Sequence, residues 1–468
     1  MRLQLAAACI ALSLTAGAQS KLQGNWEGEM NVGQKVRLVF KVKEADGKLS
    51  ATMDSPDQGV TGIPVASTSM NADSVLFDLS NAGIQYTGLL TGDEIQGVWK
   101  QAGRKFPLVM KRTDKPTELV RPQTPKPPFD YISEDVTFKN ADGSISYGAT
   151  ITIPKGGKTY PAVLLVSGSG PQNRDEELMG HKPFAVIANY LTNKGYIVLR
   201  VDDRGVGQTT GDRRKATSAD FTKDANAAID YLKIRKEVNQ KKIGILGHSE
   251  GGMIAPMVAS ERKDIDFIIL MAGPGVKVYE LMEDQSAAMM TVSGVSEQVV
   301  AEYRRLYRGI EQAIISSKTG EEAQLKMKEV TGAWKSSASK EAIDVVDIGD
   351  FEKEKKFIGD FMGLYHDAWF NYFLKYDPQP VLQKLTCKVL ALNGEKDMQV
   401  LSKQNLEGIK QTLAKSKTKN YEVKELPGLN HLFQRCNTCS PQEYGTLKET
   451  ISEDALKTVS DWLDKKVK

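Results

Sequence analysis

The chain has 468 residues, enough for two or three domains with a large buried core. Its residues are 40% hydrophobic and 26% charged, which is ordinary for a globular protein. A formal charge of +3, from 62 basic and 59 acidic residues, provides no electrostatic basis for binding nucleic acid. We therefore expect a surface of mixed charge and no nucleic-acid partner.

The N-terminus has the pattern of a secretory signal peptide, which we assign to residues 1–18. A short positive start at Met1 and Arg2 precedes a largely apolar stretch, and an A-x-A cleavage site ends at Ala18. Lipidation at Cys9 is an alternative, but the apolar stretch before that cysteine is very short. No later segment approaches ~20 continuous apolar residues, so we expect no membrane insertion of the mature protein. These features predict a secreted or periplasmic protein in an oxidising compartment.

Residues 19–112 are predicted to form a small all-β accessory domain. Short runs of alternating apolar and polar residues, separated by turn residues, lie at 35–42, 48–53, 74–79 and 94–99. Period-two alternation with frequent turns is typical of a β-sandwich or barrel. A proline-rich linker at 113–128 follows, and its composition favours an extended, semi-rigid spacer.

The remaining residues, 129–468, alternate strands and helices as in a doubly wound, mostly parallel α/β sheet. A hairpin is predicted over 131–153, and strands are predicted at 161–166, 196–201, 242–246, 267–271, 387–392 and 421–426. Helical apolar spacing occurs at 185–193 and 221–233, and a helix-compatible stretch lies at 253–259.

An inserted helical cap is predicted at about 276–380, between two strands of this sheet. The stretch is rich in Lys, Glu, Ala and Met and is too long for a simple crossover. Its aromatic residues are expected mainly in the core of the cap, with some facing the pocket below: Phe361, Trp369, Phe370, Tyr372 and Phe373.

Ser249 is the strongest candidate for a catalytic residue. It lies in Gly247-His248-Ser249-Glu250-Gly251, directly after a predicted strand and directly before a predicted helix. A strand, a G-x-S-x-G turn and a helix form the nucleophile elbow of α/β hydrolases. The serine needs a strained backbone to project its hydroxyl, and the glycines remove side chains that would clash in the turn.

The acid and the base of a catalytic triad are expected after later strands, in the order serine, acid, histidine. Asp397 follows the strand at 387–392, and His431 follows the strand at 421–426. His431 would take the proton from Ser249, and Asp397 would orient the imidazole and stabilise its charged form. Glu395, in the same loop as Asp397, is the alternative acid.

Two backbone N–H groups are predicted to form an oxyanion hole. One belongs to Glu250, the residue after the serine. The other belongs to Ser169, in the loop after strand 161–166, where Gly168 and Gly170 allow close approach of a substrate oxygen. Gly170 is the alternative donor, and an ordinary glycine-rich turn is the alternative interpretation of the loop.

We expect neither a metal site nor a cofactor. Asp202-Asp203-Arg204, at the end of a predicted strand, is interpreted as a structural salt-bridge cluster. Cys436 and Cys439 form a single C-x-x-C, with no second pair or histidine pair to complete a zinc site. A local disulfide is favoured, and free thiols or a metal or redox site are the alternatives. Cys387 is interpreted as a small buried residue.

From about residue 129 to its C-terminus, the chain resembles bacterial α/β-hydrolase-fold esterases of the serine peptidase-like hydrolase superfamily. The stretches that carry the resemblance are 167–175, 199–207, 247–252, 394–397 and 430–433. The resemblance implies carboxylic-ester hydrolysis. It extends to chains labelled as peptidases by analogy, and such fold-level likeness does not settle the substrate.

These observations predict an exported serine hydrolase that cleaves a small-molecule or glycan-linked carboxylic ester through an acyl-enzyme intermediate. A peptidase, an aminopeptidase-like amide hydrolase or a thioesterase is the enzymatic alternative. The β-domain is too small for the propeller that filters peptides in oligopeptidases, which argues against a peptidase. A non-catalytic binding protein on a hydrolase scaffold is the alternative of another class, and it is disfavoured because no triad position is missing.

Overall fold

The structure is a computed structural model that describes residues 21–32 and 35–468. The predicted signal peptide at residues 1–18 lies outside the described residues. The chain forms two compact units, the first ending at Pro122 and including Leu178–His181, and the second comprising Gln123–Glu177 and Lys182–Lys468. Within the described ranges, no helix is long and apolar enough to cross a membrane.

The first unit is built from antiparallel strands that form one continuous sheet. Its described strands are β1 (Gly24–Asn31), β2 (Lys35–Ala45), β3 (Lys48–Ser55), β4 (Val60–Pro64), β5 (Ser67–Asn71), β6 (Ser74–Leu79), β7 (Ile84–Thr91), β8 (Glu94–Gln101) and β9 (Arg104–Thr113). They pair in the order β4-β3-β2-β1-β9-β8-β7-β6-β5.

Only Val65 and Ala66 connect the two edge strands β4 and β5, so the sheet must curl until its edges approach each other. The alternating inward residues fill the concave side with an aromatic core that includes Trp26, Phe40 and Trp99. The predicted all-β module is confirmed as a half-barrel of one sheet rather than a sandwich of two.

The second unit contains a mostly parallel sheet. Its described strands are β10 (Tyr131–Lys139), β11 (Ser146–Pro154), β12 (Tyr160–Val166), β13 (Ile197–Val201), β14 (Val238–His248), β15 (Phe267–Met271), β16 (Lys388–Gly394) and β17 (Tyr421–Leu426). Their order is β10-β11-β13-β12-β14-β15-β16-β17. Strands β10 and β11 form an antiparallel hairpin at one edge, and the pairings from β13 to β17 are parallel.

The helices of the second unit are α1 (Pro183–Asn193), α2 (Ser218–Ile234), α3 (Gly251–Glu261), α4 (Val278–Val292), α5 (Glu297–Ser316), α6 (Gly320–Lys335), α7 (Lys340–Val346), α8 (Phe351–His366), α9 (Ala368–Leu374), α10 (Gln379–Leu382), α11 (Ser402–Ala414) and α12 (Glu453–Lys466). Helices α2, α3 and α11 contribute to the core on one face of the sheet, and α1 and α12 contribute to the core on the other. This arrangement confirms the predicted doubly wound α/β fold. The inner strands β12, β13, β15 and β16 are covered on both faces, and they are accordingly apolar along most of their length.

The segment between β15 and β16 forms the inserted cap, which confirms the predicted helical insertion. Helices α4 to α10 lie in this segment. The cap has its own apolar core, which includes Leu306, Met327 and Trp334. The insertion leaves the sheet continuous, because β15 and β16 pair directly as parallel neighbours.

A buried carboxyl group in the cap predicts a pH-dependent stability. Glu311 in α5 is 1% exposed, and neither carboxyl oxygen has a hydrogen-bond partner among the described residues. Burial, assisted by the nearby charge of Glu283, raises the pKa of Glu311 from 4.5 to about 9. Between these values the folded chain keeps a proton that the unfolded chain releases, so stability falls as pH rises through this window.

Glu311→Gln should remove this dependence. We expect the loss of unfolding free energy between pH 5 and pH 8 to shrink by about 4 kcal/mol in the variant, measured by urea unfolding at both values. Glu329→Gln, at an exposed position on helix α6 of the same cap, is the matched control and should behave like the unaltered chain. An equal pH slope in all three proteins would contradict a proton held on Glu311.

Candidate active site

Ser249 occupies a strained turn between strand β14 and helix α3. Its φ is 54°, in the left-handed region that non-glycine residues rarely adopt. Its N–H donates to the carbonyl of Met271 on the neighbouring strand at 2.8 Å, which holds the turn. A Cβ on Gly247 would collide with the backbone of Gly251, and one on Gly251 would collide with Val166. The glycines of the motif are therefore required by the close approach of three backbone segments.

The structure brings Asp397 and His431 together. The Nδ1 atom of His431 lies 2.8 Å from Oδ2 of Asp397, and each residue is 4% exposed. The other carboxylate oxygen accepts the N–H groups of Gln399 at 2.8 Å and Val400 at 2.9 Å. Asp397 is thus held in one orientation, with one oxygen aimed at the imidazole.

Glu395, the alternative acid, points elsewhere. Its carboxylate accepts the N–H of Gly428 at 3.0 Å and lies 3.3 Å from the ammonium group of Lys396. The Gly428 N–H, followed by Lys396, holds the pKa of the Glu395 carboxyl below its usual value. In this arrangement the geometry favours Asp397 as the partner of His431.

The loop after β12 lies against the serine. The Cα of Gly168 is so close that a Cβ built there would be 3.1 Å from the Cβ of Ser249. The N–H of Gly168 already donates to Oε1 of Glu176 at 2.7 Å, so it is not available to an oxyanion. Across residues 21–32 and 35–468, the N–H groups of Ser169 and Glu250 have no hydrogen-bond acceptor. Both predicted donors are therefore free to bind a substrate oxygen.

Asp203 ties the two ends of this loop together. One carboxylate oxygen accepts the hydroxyl of Ser167 at 2.8 Å, and the other accepts the N–H of Gln172 and the guanidinium of Arg213, both at 3.0 Å. Burial raises the pKa of Asp203 to about 7, against the opposing effects of the Gln172 N–H and Arg213.

The rest of the Asp202-Asp203-Arg204 segment also forms ion pairs. The structure pairs Asp202 with Arg174 at 2.7 Å and Arg204 with Asp224 at 2.8 Å. The interpretation of this segment as a salt-bridge cluster is confirmed. Among the residues that the structure describes, no group of three His, Cys, Asp or Glu side chains is placed to hold a metal ion.

The cap is fastened to the residue that follows the serine. Oε1 of Glu250 accepts the indole N–H of Trp369 in α9 at 2.8 Å and the hydroxyl of Ser218 in α2 at 2.6 Å. Burial raises the pKa of Glu250, although both hydrogen bonds oppose the shift. Trp369 stacks on Phe373 with ring centroids 5.1 Å apart. One of the predicted cap aromatics therefore contacts the elbow directly.

Two side chains that the sequence analysis did not single out connect these parts. The ring of His248 lies 2.9 Å from Oε1 of Glu176 through Nδ1 and 3.0 Å from the carbonyl of His431 through Nε2. Glu176 and His248 are both buried. The position of His248, adjacent to Ser249, is the one sequence signal that pointed to this pair.

A disulfide bond between Cys436 and Cys439 closes the loop that follows His431. The carboxylate of Glu443 accepts the N–H groups of Asn437, Thr438 and Cys439, so the small loop is held from two sides. Cys387 is buried and forms no disulfide with the other cysteines that the structure describes. The favoured interpretation of the C-x-x-C pair agrees with this structure.

The sheet order, the strained serine turn and the loops after β16 and β17 are those of an α/β hydrolase. The family model described as Hydrolase_4, serine aminopeptidase S33, matches residues 181–339. Esterase EstD of Thermotoga maritima is 27% identical over 340 residues, which are 72% of this chain and 69% of that protein. Cutinase est1 of Thermobifida alba is 26% identical over 162 residues, which are 33% of this chain and 48% of that protein.

Among solved structures, the Pyrococcus furiosus esterase Pf2001 aligns with a TM-score of 0.42 and 14% identity, over 72% of this chain and 94% of that one. The family match and the sequence relative from Thermotoga maritima support an α/β-hydrolase-fold esterase, a carboxylic ester hydrolase. The expectation drawn from the sequence resemblance is thereby confirmed.

Proposed function

We propose that the chain is an exported serine esterase that cleaves a small-molecule carboxylic ester through an acyl-enzyme intermediate. One observation supports the proposal: His431, bonded to Asp397 at 2.8 Å, has its backbone carbonyl 3.0 Å from Nε2 of His248, the residue directly before Ser249 in the strained elbow. A serine is a weak nucleophile unless a base removes its proton, and a histidine oriented by a carboxylate is suited to that task.

The reaction proceeds in two halves. The hydroxyl oxygen of Ser249 attacks the ester carbonyl carbon while Nε2 of His431 takes the hydroxyl proton. The tetrahedral oxyanion accepts the N–H groups of Ser169 and Glu250, which lack other acceptors in the described structure. The C–O bond to the alcohol then breaks, and His431 returns the proton to the leaving alcohol. A water molecule, deprotonated by His431, hydrolyses the acyl-serine and restores the free enzyme.

Asp397 supports both halves without being protonated. Its bond to Nδ1 selects the imidazole tautomer in which Nε2 is free to accept the serine proton. The negative charge then stabilises the imidazolium that forms in each transition state. The two backbone N–H groups from Gln399 and Val400 keep this carboxylate aimed at the ring.

Export is part of the proposal. The pattern of residues 1–18 supports it, and so does the disulfide between Cys436 and Cys439, because structural disulfides persist in oxidising compartments. Processing after Ala18 is the expected cleavage. N-terminal sequencing of the protein recovered from outside the cytoplasm measures this directly.

The leaving group is the open part of the proposal. The matching family model carries a serine aminopeptidase description, whereas the two sequence relatives reported above are named as an esterase and a cutinase. An ester is favoured because its alkoxide leaves more readily than an amine. An amide hydrolase or a thioesterase on the same triad is the alternative, and a glycan-linked ester is a further substrate class for the same chemistry.

A fluorophosphonate probe and a matched substrate series test the proposal. The probe should label the unaltered protein at Ser249, and the labelled peptide should be found by mass spectrometry. Acetyl, butyryl and octanoyl groups, each carried as an aryl ester, a thioester and an aryl amide, then separate acyl preference from leaving-group preference. Absence of labelling together with absence of turnover would favour the non-catalytic binding protein, and faster amide than ester cleavage would favour the peptidase.

A further inference from the structure

A catalytic site of this kind must hold two separate loops in a fixed position relative to each other. The oxyanion donor Ser169 follows β12, whereas the general base His431 follows β17. Strands β14, β15 and β16 lie between β12 and β17 in the sheet. Strand pairing within the sheet therefore does not by itself determine the relative position of the two loop backbones. Contacts between the loops, at the edge of the sheet where these strands end, must do so.

Glu176 and His248 supply these contacts. Oε1 of Glu176 accepts the N–H of Gly168, next to Ser169, at 2.7 Å and faces Nδ1 of His248 at 2.9 Å. Nε2 of His248 lies 3.0 Å from the carbonyl oxygen of His431. A continuous chain of hydrogen bonds thus runs from the oxyanion loop to the backbone of the general base, and it passes beside Ser249.

The hydrogen-bond partners of His248 determine which of its ring nitrogens carry a hydrogen. A carbonyl oxygen only accepts, so Nε2 of His248 must carry a hydrogen. Oε1 of Glu176, which also accepts the N–H of Gly168, faces Nδ1 of His248 as an acceptor, so Nδ1 carries a hydrogen as well. His248 is then an imidazolium paired with a carboxylate, and both of its N–H groups are used.

The surroundings of the ring agree with this assignment. Burial alone would lower the pKa of His248, but the charge of Glu176 and the hydrogen bonds to Glu176 and the His431 carbonyl outweigh it, and the pKa is raised. The ring centroids of His248 and His431 are 4.9 Å apart, and Phe433 presents an edge contact at 6.3 Å. Asp397, beyond His431, is the other carboxylate whose charge acts on His248.

We propose that Glu176 and His248 are positioning residues that fix the loop of Ser169 relative to the loop of His431 by acting as a hydrogen-bonded ion pair. The proposal rests on the proposed function, because it assigns these residues to the alignment of that triad with its oxyanion hole. Neither residue contacts the reacting atoms. Their effect is on the placement of groups that do.

Three variants separate the charge from the two hydrogen bonds. Glu176→Gln keeps the size of the side chain and removes the charge that pairs with His248. His248→Asn places an amide nitrogen near the position of Nδ1 and so keeps a donor toward Glu176. His248→Gln places an amide nitrogen near the position of Nε2 and so keeps a donor toward the carbonyl of His431.

Each variant should lower kcat for an activated ester by roughly 10- to 100-fold with KM little changed, since a misplacement of about 1 Å costs on the order of 100-fold. A merely structural role would lower the thermal midpoint while leaving kcat per folded molecule unaltered. His366→Asn, at an exposed histidine of the cap, is the matched control and should retain full kcat. If Glu176→Gln does not fold, the two His248 variants decide the question.

The outcomes distinguish this proposal from the proposed function. Turnover by folded Ser249→Ala protein would overturn the serine mechanism itself. An inactive Ser249→Ala protein, together with unaltered kcat in the folded Glu176 or His248 variants, would overturn the positioning role alone. Low kcat in both His248 variants, with a normal KM, supports a link that needs both of its hydrogen bonds.

Discussion

Ser249→Ala is expected to lower ester turnover by at least about 10⁴-fold, and His431→Ala by a comparable factor. In the proposed mechanism the two residues act as one unit, because the serine attacks only as the histidine takes its proton. The residual rate should come from the oxyanion donors and from substrate binding. Steady-state hydrolysis of an aryl ester, measured on protein with an unaltered thermal unfolding profile, provides the check.

Ser260→Ala is a suitable control for this measurement. Ser260 lies on α3, the helix that follows the elbow, and its hydroxyl donates to the carbonyl of Met257 within that helix. Its removal should leave turnover near the unaltered value. Near-normal turnover by folded Ser249→Ala protein would contradict the proposed nucleophile.

The second large effect concerns the choice of acid. Asp397→Asn should reduce turnover by roughly 10³- to 10⁴-fold, because an amide nitrogen facing Nδ1 of His431 selects the wrong tautomer. The oxygen that accepts the N–H groups of Gln399 and Val400 can be retained in the variant, so the loop is expected to keep its fold.

Glu395→Gln is the matched variant in the same loop. Its carboxylate accepts the N–H of Gly428 and forms an ion pair with the ammonium group of Lys396, and an amide oxygen can replace the first of these contacts. We expect little loss of turnover, measured with the same aryl ester. The opposite ranking, with Glu395→Gln far more damaging than Asp397→Asn, would move the catalytic acid to Glu395.

Local patterns in the sequence predicted the fold well, because each depends on residues that are close together in the chain. The apolar run before Ser249 and the glycines around it predicted the elbow, since that turn has steric demands that only glycine meets. The long polar interval between two strands predicted the cap. The order serine, acid, histidine predicted which loops meet, since the carboxyl ends of parallel strands share one edge of the sheet.

The curled half-barrel of the first unit was not predictable from the same patterns. Period-two alternation shows that one face of each strand is buried, but it does not specify the strand on either side. The pairing of β1 with β9, far apart in sequence, decides that the module is one curled sheet. The sequence was therefore compatible with both a sandwich and a barrel.

The sequence by itself determined the succession of elements, the elbow at Ser249 and the two loops that carry Asp397 and His431. The tertiary structure alone decided that Glu395 turns toward Gly428, that Trp369 reaches Glu250, and that Glu176 and His248 join the oxyanion loop to the base. The physical reason is that hydrogen-bond partners are selected by distance and burial in three dimensions. The spacing of residues along a strand or helix reports which face is buried, but not which distant polar group will meet it there.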